Sequence, residues 1–201
     1  MTTVSHVHPL DPHGEEVWDA RFRQRYAELG GPAGLLGAPR DEMTWDPLGG
    51  GSWVQHFERG ALCGGFDTQV HEIHGAIHEK WRALRATGAF PWWPTTDELG
   101  TPDGAGRFNH FGPGASIYWT PQTGAWEVHG AIHERWAQLG WETGFLGYPV
   151  GDETDNPDNA VTGRGARYSR FQGGFISWSP ATGAHEHRAR TGWSRSRGDR
   201  R

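Results

Sequence analysis

The chain has 201 residues, a formal net charge of −5, 31 glycines, 13 prolines, 12 tryptophans and a single cysteine, Cys63. One cysteine excludes a disulfide framework and a cysteine-based metal site, leaving small packing filler as its expected role. No run approaches the roughly 20 apolar residues of a membrane span, and residues 1–14 lack the basic start and apolar core of a secretion signal. The expected location is therefore cytoplasmic for the chain as given, or the cell envelope if it is a mature fragment.

Residues 1–16 read as a tail. From there one unit is written three times, over 17–72, 73–127 and 128–187, which together are expected to form a single domain. His74-Gly75-Ala76-Ile77-His78-Glu79-Lys80-Trp81 returns as His129-Gly130-Ala131-Ile132-His133-Glu134-Arg135-Trp136, and Leu29, Leu84 and Leu139, like Pro39, Pro94 and Pro149, keep the same spacing. A period this long reads as a repeat architecture whose units complete one another's cores. With a hydrophobic fraction of only 35%, those cores have to be built from large aromatic side chains.

The first unit opens on an amphipathic helix with Phe22, Tyr26 and Leu29 on one face. A loop follows, Gly34-Leu35-Leu36-Gly37-Ala38-Pro39, where glycine ends the helical region and proline forbids its continuation. Then comes an acidic pair, Asp41-Glu42. The second unit repeats the stripe as Ile77, Trp81 and Leu84, carries Pro91-Trp92-Trp93-Pro94 in its loop, and places its acids at Asp97-Glu98. Residues 107–111, 116–119 and 125–128 alternate as three short strands, with Pro121-Gln122-Thr123-Gly124 as a turn. The third unit has Ile132, Trp136 and Leu139, then Gly144-Phe145-Leu146-Gly147-Tyr148-Pro149, then Asp152-Glu153. Its strands fall at 167–171, 175–178 and 184–187.

The expected fold class is α+β: three tandem repeats of about 55 residues, each a helix, a Gly/Pro loop and short antiparallel strands. The first unit lacks the strand that precedes the helix elsewhere, and the third lacks a helix after its last strand. Closure with pseudo-threefold, propeller-like symmetry would satisfy both ends and hide the sheet edges.

Leu36-Gly37-Ala38-Pro39, Leu146-Gly147-Tyr148-Pro149 and the stretch from Gly174-Phe175-Ile176-Ser177-Trp178 through Ser179-Pro180-Ala181-Thr182-Gly183-Ala184 resemble the LGFP repeat of actinobacterial proteins. The resemblance recurs three times and covers the chain from Val17 to His187. It implies a cell-wall-associated module, of the kind attached to secreted esterases, mycoloyltransferases and amidases, that holds on to an envelope polysaccharide such as arabinogalactan or a peptidoglycan-linked glycan. It implies neither a cofactor nor an activity of the repeats themselves.

Several constellations invite chemistry. His74/His78 and His129/His133 stand four apart, a spacing at which two imidazoles on one helix face can share a zinc ion; buried residues bonded to a neighbouring unit explain them equally. Paired carboxylates can hydrolyse a glycosidic bond, but one loop motif copied three times points to structure or multivalent binding, with an acid tying loop amides. Trp81 and Trp136 belong to the core stripe. Trp92 and Trp93 occupy a loop, where an exposed aromatic platform beside Asp97, Glu98 and Asn109 would suit a sugar. Trp119, Tyr148, Asp152 and Trp178 complete the expected ligand-binding set.

The resulting expectation is a non-catalytic binder of a cell-envelope glycan. The alternative is an intracellular enzyme or accessory protein that reuses the scaffold, with one pocket built around the divergent second repeat and the helix histidines. Residues 188–201 contain six arginines and one aspartate, leaving 13 basic against 23 acidic residues in the rest of the chain. This basic tail is a candidate contact for an anionic polymer.

Overall fold

A computed structural model describes residues 14–65, 69–90, 92–155 and 165–189. The chain divides into two compact units, Met1–Gly130 and Ala131–Arg201. The basic tail beyond residue 189 lies outside the described residues.

In the first unit, helix α1 (Glu15–Glu28) begins with Glu15 and Glu16, whose charges complement the positive end of the helix dipole. It ends at Leu29, after which Gly30 adopts a left-handed conformation. Strands β1 (Thr44–Asp46), β2 (Ser52–His56), β3 (Gly60–Gly64) and β4 (Val70–His74) form an antiparallel meander in that order. Helix α2 (Gly75–Ala86) starts on the residue after β4 with no loop between them. His74 is still extended, and Gly75 turns the chain with a φ of 54°, a value that glycine adopts at little cost. The second meander follows: β5 (Leu99–Gly100), β6 (Arg107–Phe111), β7 (Ala115–Thr120) and β8 (Gly124–His129).

Helix α3 (Gly130–Gln138) leads into the second unit and the third meander, β9 (Thr154–Asp155), β10 (Arg167–Phe171), β11 (Gly174–Ser179) and β12 (Gly183–Arg188). The same strand-to-helix turn recurs at Gly130, with a φ of 57°. In every repeat the loop proline makes an isolated antiparallel bridge to the phenylalanine after or at the end of the repeat's second strand: Pro39 to Phe57, Pro94 to Phe111 and Pro149 to Phe171. The regular spacing of the prolines is thus a spacing of loop-to-sheet anchors.

Helices and sheets alternate in the first unit. Trp18 and Phe22 of α1 pack on one face of the first sheet with Leu36, Trp53, Phe57 and Leu62. The opposite face, with Val54, Ala61, Cys63 and Ile73, meets α2, and α2 also lies on Phe111, Ala115 and Ile117 of the second sheet. Ile77, Trp81, Phe90 and Trp93 fill the space between the two sheets and are at most 2% exposed. Each such side chain contributes about 1.5–3 kcal/mol by leaving water. In the second unit Trp136 of α3 packs against Phe171 at 5.3 Å and Trp141 at 5.2 Å between ring centroids.

Three tandem repeats of a helix and an antiparallel sheet are therefore present, with one difference in detail. Each sheet has four strands where the sequence pattern marks three. The extra strand is the short first one, β1, β5 or β9, in a polar stretch without alternation. Among the described residues the strands form three separate sheets and no closed barrel.

Candidate functional site

The acidic loop of the second repeat is set against the last strand of the first sheet. Asp97 Oδ1 accepts the Glu72 N–H at 2.9 Å, and Oδ2 pairs with Arg25 of α1. Burial alone would raise the Asp97 carboxyl, but His71 at 3.8 Å, the hydrogen bond from the Glu72 amide and Arg25 beside it hold it below the usual carboxylate range. Glu98 donates its own N–H to Glu72 Oε1 at 2.9 Å. Asn109, fully buried on β6, donates to the carbonyls of Glu72 (3.1 Å) and Thr96 (2.9 Å). Asp97, Glu98 and Asn109 thus come together, and the bonds they make join two repeats.

His74 completes this junction. Its Nδ1 lies 2.7 Å from Glu72 Oε2, and its Nε2 faces Glu98 Oε1 at 3.5 Å. The hydrogen bond to Glu72 raises the His74 pKa despite burial, while burial, with Glu72 adding to it, raises that of Glu98. The pairing recurs at His129, whose Nδ1 is 2.7 Å from Glu127 Oε2. Both glutamates precede their histidines by two residues on one strand face, a period-two signal in the sequence.

The histidine pairs do not share a helix face. His74 is the extended residue before α2, whereas His78 lies within the helix, 7% exposed. His133 lies within α3, while His129 ends β8. Among the described residues no group of three or more His, Cys, Asp or Glu is placed to hold a metal ion. Burial drives the Cys63 thiol far above its ordinary pKa and suits the packing role.

The fold gives Trp93 a different place from the exposed platform expected of it. It is 2% exposed, donates its Nε1–H to the Leu48 carbonyl at 2.8 Å, and lies against Trp81, with Arg85 3.9 Å above its ring. Trp92 is half-buried, packed edge-on against Phe90 and near His129, while its carbonyl accepts Trp81 Nε1–H. The physical reason is the Pro94–Phe111 bridge, which draws the loop onto the second sheet and turns Trp93 inward. Trp119 is half-buried against the same core.

A cleft of about 590 Å³ lies beside the Asp97 junction, lined by Arg21, Gln24, Arg25, Gln69 and His71 as well as Asp97. It is rich in hydrogen-bonding groups, and Leu99, 43% exposed, sits at its edge.

In the second unit Tyr148 is buried at 5% exposure, and Asp152 and Trp178 are half-buried. The group that the sequence reading missed is the outer face of the third sheet. Phe175, 38% exposed, stacks on His187 with centroids 4.3 Å apart and planes 14° from parallel. Ser177 Oγ is 2.8 Å from His187 Nε2, Tyr168 meets Phe175 edge-on, and Arg170 lies over Tyr168. The corresponding positions of the first sheet are Ala61, Ile73, Cys63, Val54 and His56. That substitution pattern was a readable signal, since apolar residues at four of the five positions give way to aromatic and polar ones on one face.

Helix-and-meander units that recur along the chain, each anchored by a proline loop, define a tandem-repeat protein. A family model described as LGFP repeat matches residues 36–88, 93–144 and 146–199. The chain belongs to the LGFP repeat family. Comparison with curated protein sequences gives no match.

Proposed function

We propose that this chain is a non-catalytic binding module for a cell-envelope polysaccharide or related glycan, and that it grips its ligand on the outer face of the third sheet. The observation that supports this reading is the Phe175–His187 stack with Tyr168, Arg170 and Ser177 around it. An exposed ring offers a surface to the C–H face of a sugar, while imidazole, hydroxyl and guanidinium groups at its edge meet hydroxyls. No helix among the described residues is long and apolar enough to cross a membrane.

The experiment is retention of purified chain on immobilised arabinogalactan, with Phe175→Ala and His187→Ala as variants. Retention that falls in both while their melting temperatures stay close to that of the parent supports the reading. Retention unchanged in both overturns the choice of surface, and no retention of the parent on any envelope glycan overturns the function. Pseudo-threefold closure is a separate proposal, and it competes with this surface: a ring closed at the third sheet would cover Phe175.

A further inference from the structure

We infer that the cleft at the start of α2 is a binding site for a phosphate group. It encloses about 560 Å³, and its walls include Arg40, Arg59, Arg82, His74, His78 and Gly75, the first residue of the helix. The proposal concerns the first unit alone and does not depend on the glycan surface of the third sheet.

Four observations converge. First, the helix end has no side-chain cap; the Gly75 N–H is taken by the Arg59 carbonyl at 3.1 Å, and the first-turn amides after it carry the positive end of the dipole. Second, the guanidinium of Arg59 is fixed in place by the carbonyls of Leu35, at 2.9 Å, and Gly34. Arg82 is exposed and has no carboxylate within ion-pair distance among the described residues. Arg40 reaches only the Glu58 carbonyl, at 3.5 Å. Guanidinium groups match phosphate oxygens in geometry as well as charge.

Third, His78 lines the same cleft, is 7% exposed, and its Nε2 has no hydrogen-bond partner. Burial, with the positive charges of Arg82, His56, His74 and Arg40 around it, pushes its pKa down to about 4. A neutral imidazole left unpartnered among cations is a cost to the fold, and an anion in the cleft would offset the surrounding charge. Of the two carboxylates on the walls, Glu58 is tied to the Ala38 amide at 3.2 Å and Glu79 is exposed.

Fourth, the cations are not part of what the fold repeats. His78 recurs as His133 one period on, but Arg82 becomes Ala137 and Arg40 becomes Thr95, and the hairpin turn that carries Arg59 reads Gly112-Pro113-Gly114 in the second repeat. The scaffold is built without these arginines elsewhere, so their gathering around one helix start answers to a ligand.

The test uses the full chain at constant ionic strength and follows the imidazole resonances of His78 by NMR. The probes are inorganic phosphate, glucose 1-phosphate, a glycerol phosphodiester polymer, glucuronate and chloride. Saturable shifts of His78 with inorganic phosphate, weakened about tenfold in Arg82→Gln and again in Arg40→Gln, are the expected result. Arg82 is exposed, so its replacement leaves the fold intact, and an unchanged melting temperature verifies this. Tighter binding of glucose 1-phosphate identifies a monoester as the source, and tighter binding of the polymer a diester. No saturable shift up to roughly 50 mM phosphate, an equal response to chloride or glucuronate, or full binding by Arg82→Gln each overturns the proposal.

Discussion

Trp93→Ala separates a core residue from a ligand platform. The substitution removes a ring that is 2% exposed and sits 5.6 Å, centroid to centroid, from Trp81. It leaves the Leu48 carbonyl without its donor. It also strips the support from Arg85, which stacks on Trp93 while pairing with Asp46 at 2.6 Å. Truncating a buried tryptophan to alanine costs about 3–5 kcal/mol, and the lost hydrogen bond adds about 1 kcal/mol. A total of roughly 4–6 kcal/mol is a large share of the 5–15 kcal/mol by which domains are typically stable. For a chain of this size it lowers the melting temperature by roughly 8–24 °C. Thermal unfolding followed by circular dichroism, with urea titration alongside, measures it. Trp93→Phe, which keeps a ring but loses the N–H, should fall between parent and alanine variant. A Trp93→Ala protein that melts within about 3 °C of the parent yet loses glycan retention would refute this placement and restore the platform.

Phe175→Ala should change stability by less than about 1 kcal/mol, because the ring is already partly in water; a loss near 3 kcal/mol in thermal unfolding would instead mean that the face is covered, as ring closure requires. Gly37→Ala and Gly147→Ala should each cost about 1–2 kcal/mol in urea unfolding, since both glycines are left-handed and a Cβ would meet Glu58 Oε2 at 2.5 Å or Gln172 Oε1 at 2.6 Å. Neutral effects would show that the loops relax freely. The raised pKa of His74 makes its contribution to stability complete below about pH 6.5 and lost as pH rises through the higher folded value. The depressed pKa of buried His78 acts in the opposite sense, adding stability as pH rises over this range, so urea midpoints should rise more between pH 6 and pH 8 in His74→Gln than in the parent; equal slopes would remove His74 as the cause.

The helices were the most legible part of the sequence. Ile77, Trp81, Ile132 and Trp136 mark stripes that the structure buries to 2% exposure or less, because a helix in a core has to turn one face inward. The hairpins around residues 120–124 and 179–183 were legible too, through alternation and turn residues. The two-residue strands β5 and β9 were not, since pairing so short leaves no period to read. The acidic pairs misled by one position. Counting from the bridging prolines, Asp41 corresponds to Thr96, and both accept the N–H of the matching strand residue: His56 to Asp41 at 2.7 Å and His110 to Thr96 at 3.0 Å. Glu98 and Glu153 are the matching acids, each facing the arginine that opens its sheet's second strand, at 4.0 Å for Arg107 and 2.8 Å for Arg167. Trp93 carried its own warning: Tyr148, one period later, is also an aromatic residue in a loop and is also buried, so the position points inward whatever its neighbours.

The matched segment 36–88 contains the first sheet and α2 but not α1, although Trp53, Phe57 and Leu62 of that sheet are covered by α1. What recurs in the chain and what packs as a layer are thus out of phase by one helix. A peptide cut at the boundaries of the recurring segment would carry a sheet with one face bare, and should aggregate or stay unfolded, whereas a fragment beginning at residue 15 brings its own cover. The same offset has a use. A segment spliced in at the loop before residue 36 would receive α1 as the cover for its sheet and hand its own helix to the next, so an array of this kind can lengthen without leaving an uncovered layer inside.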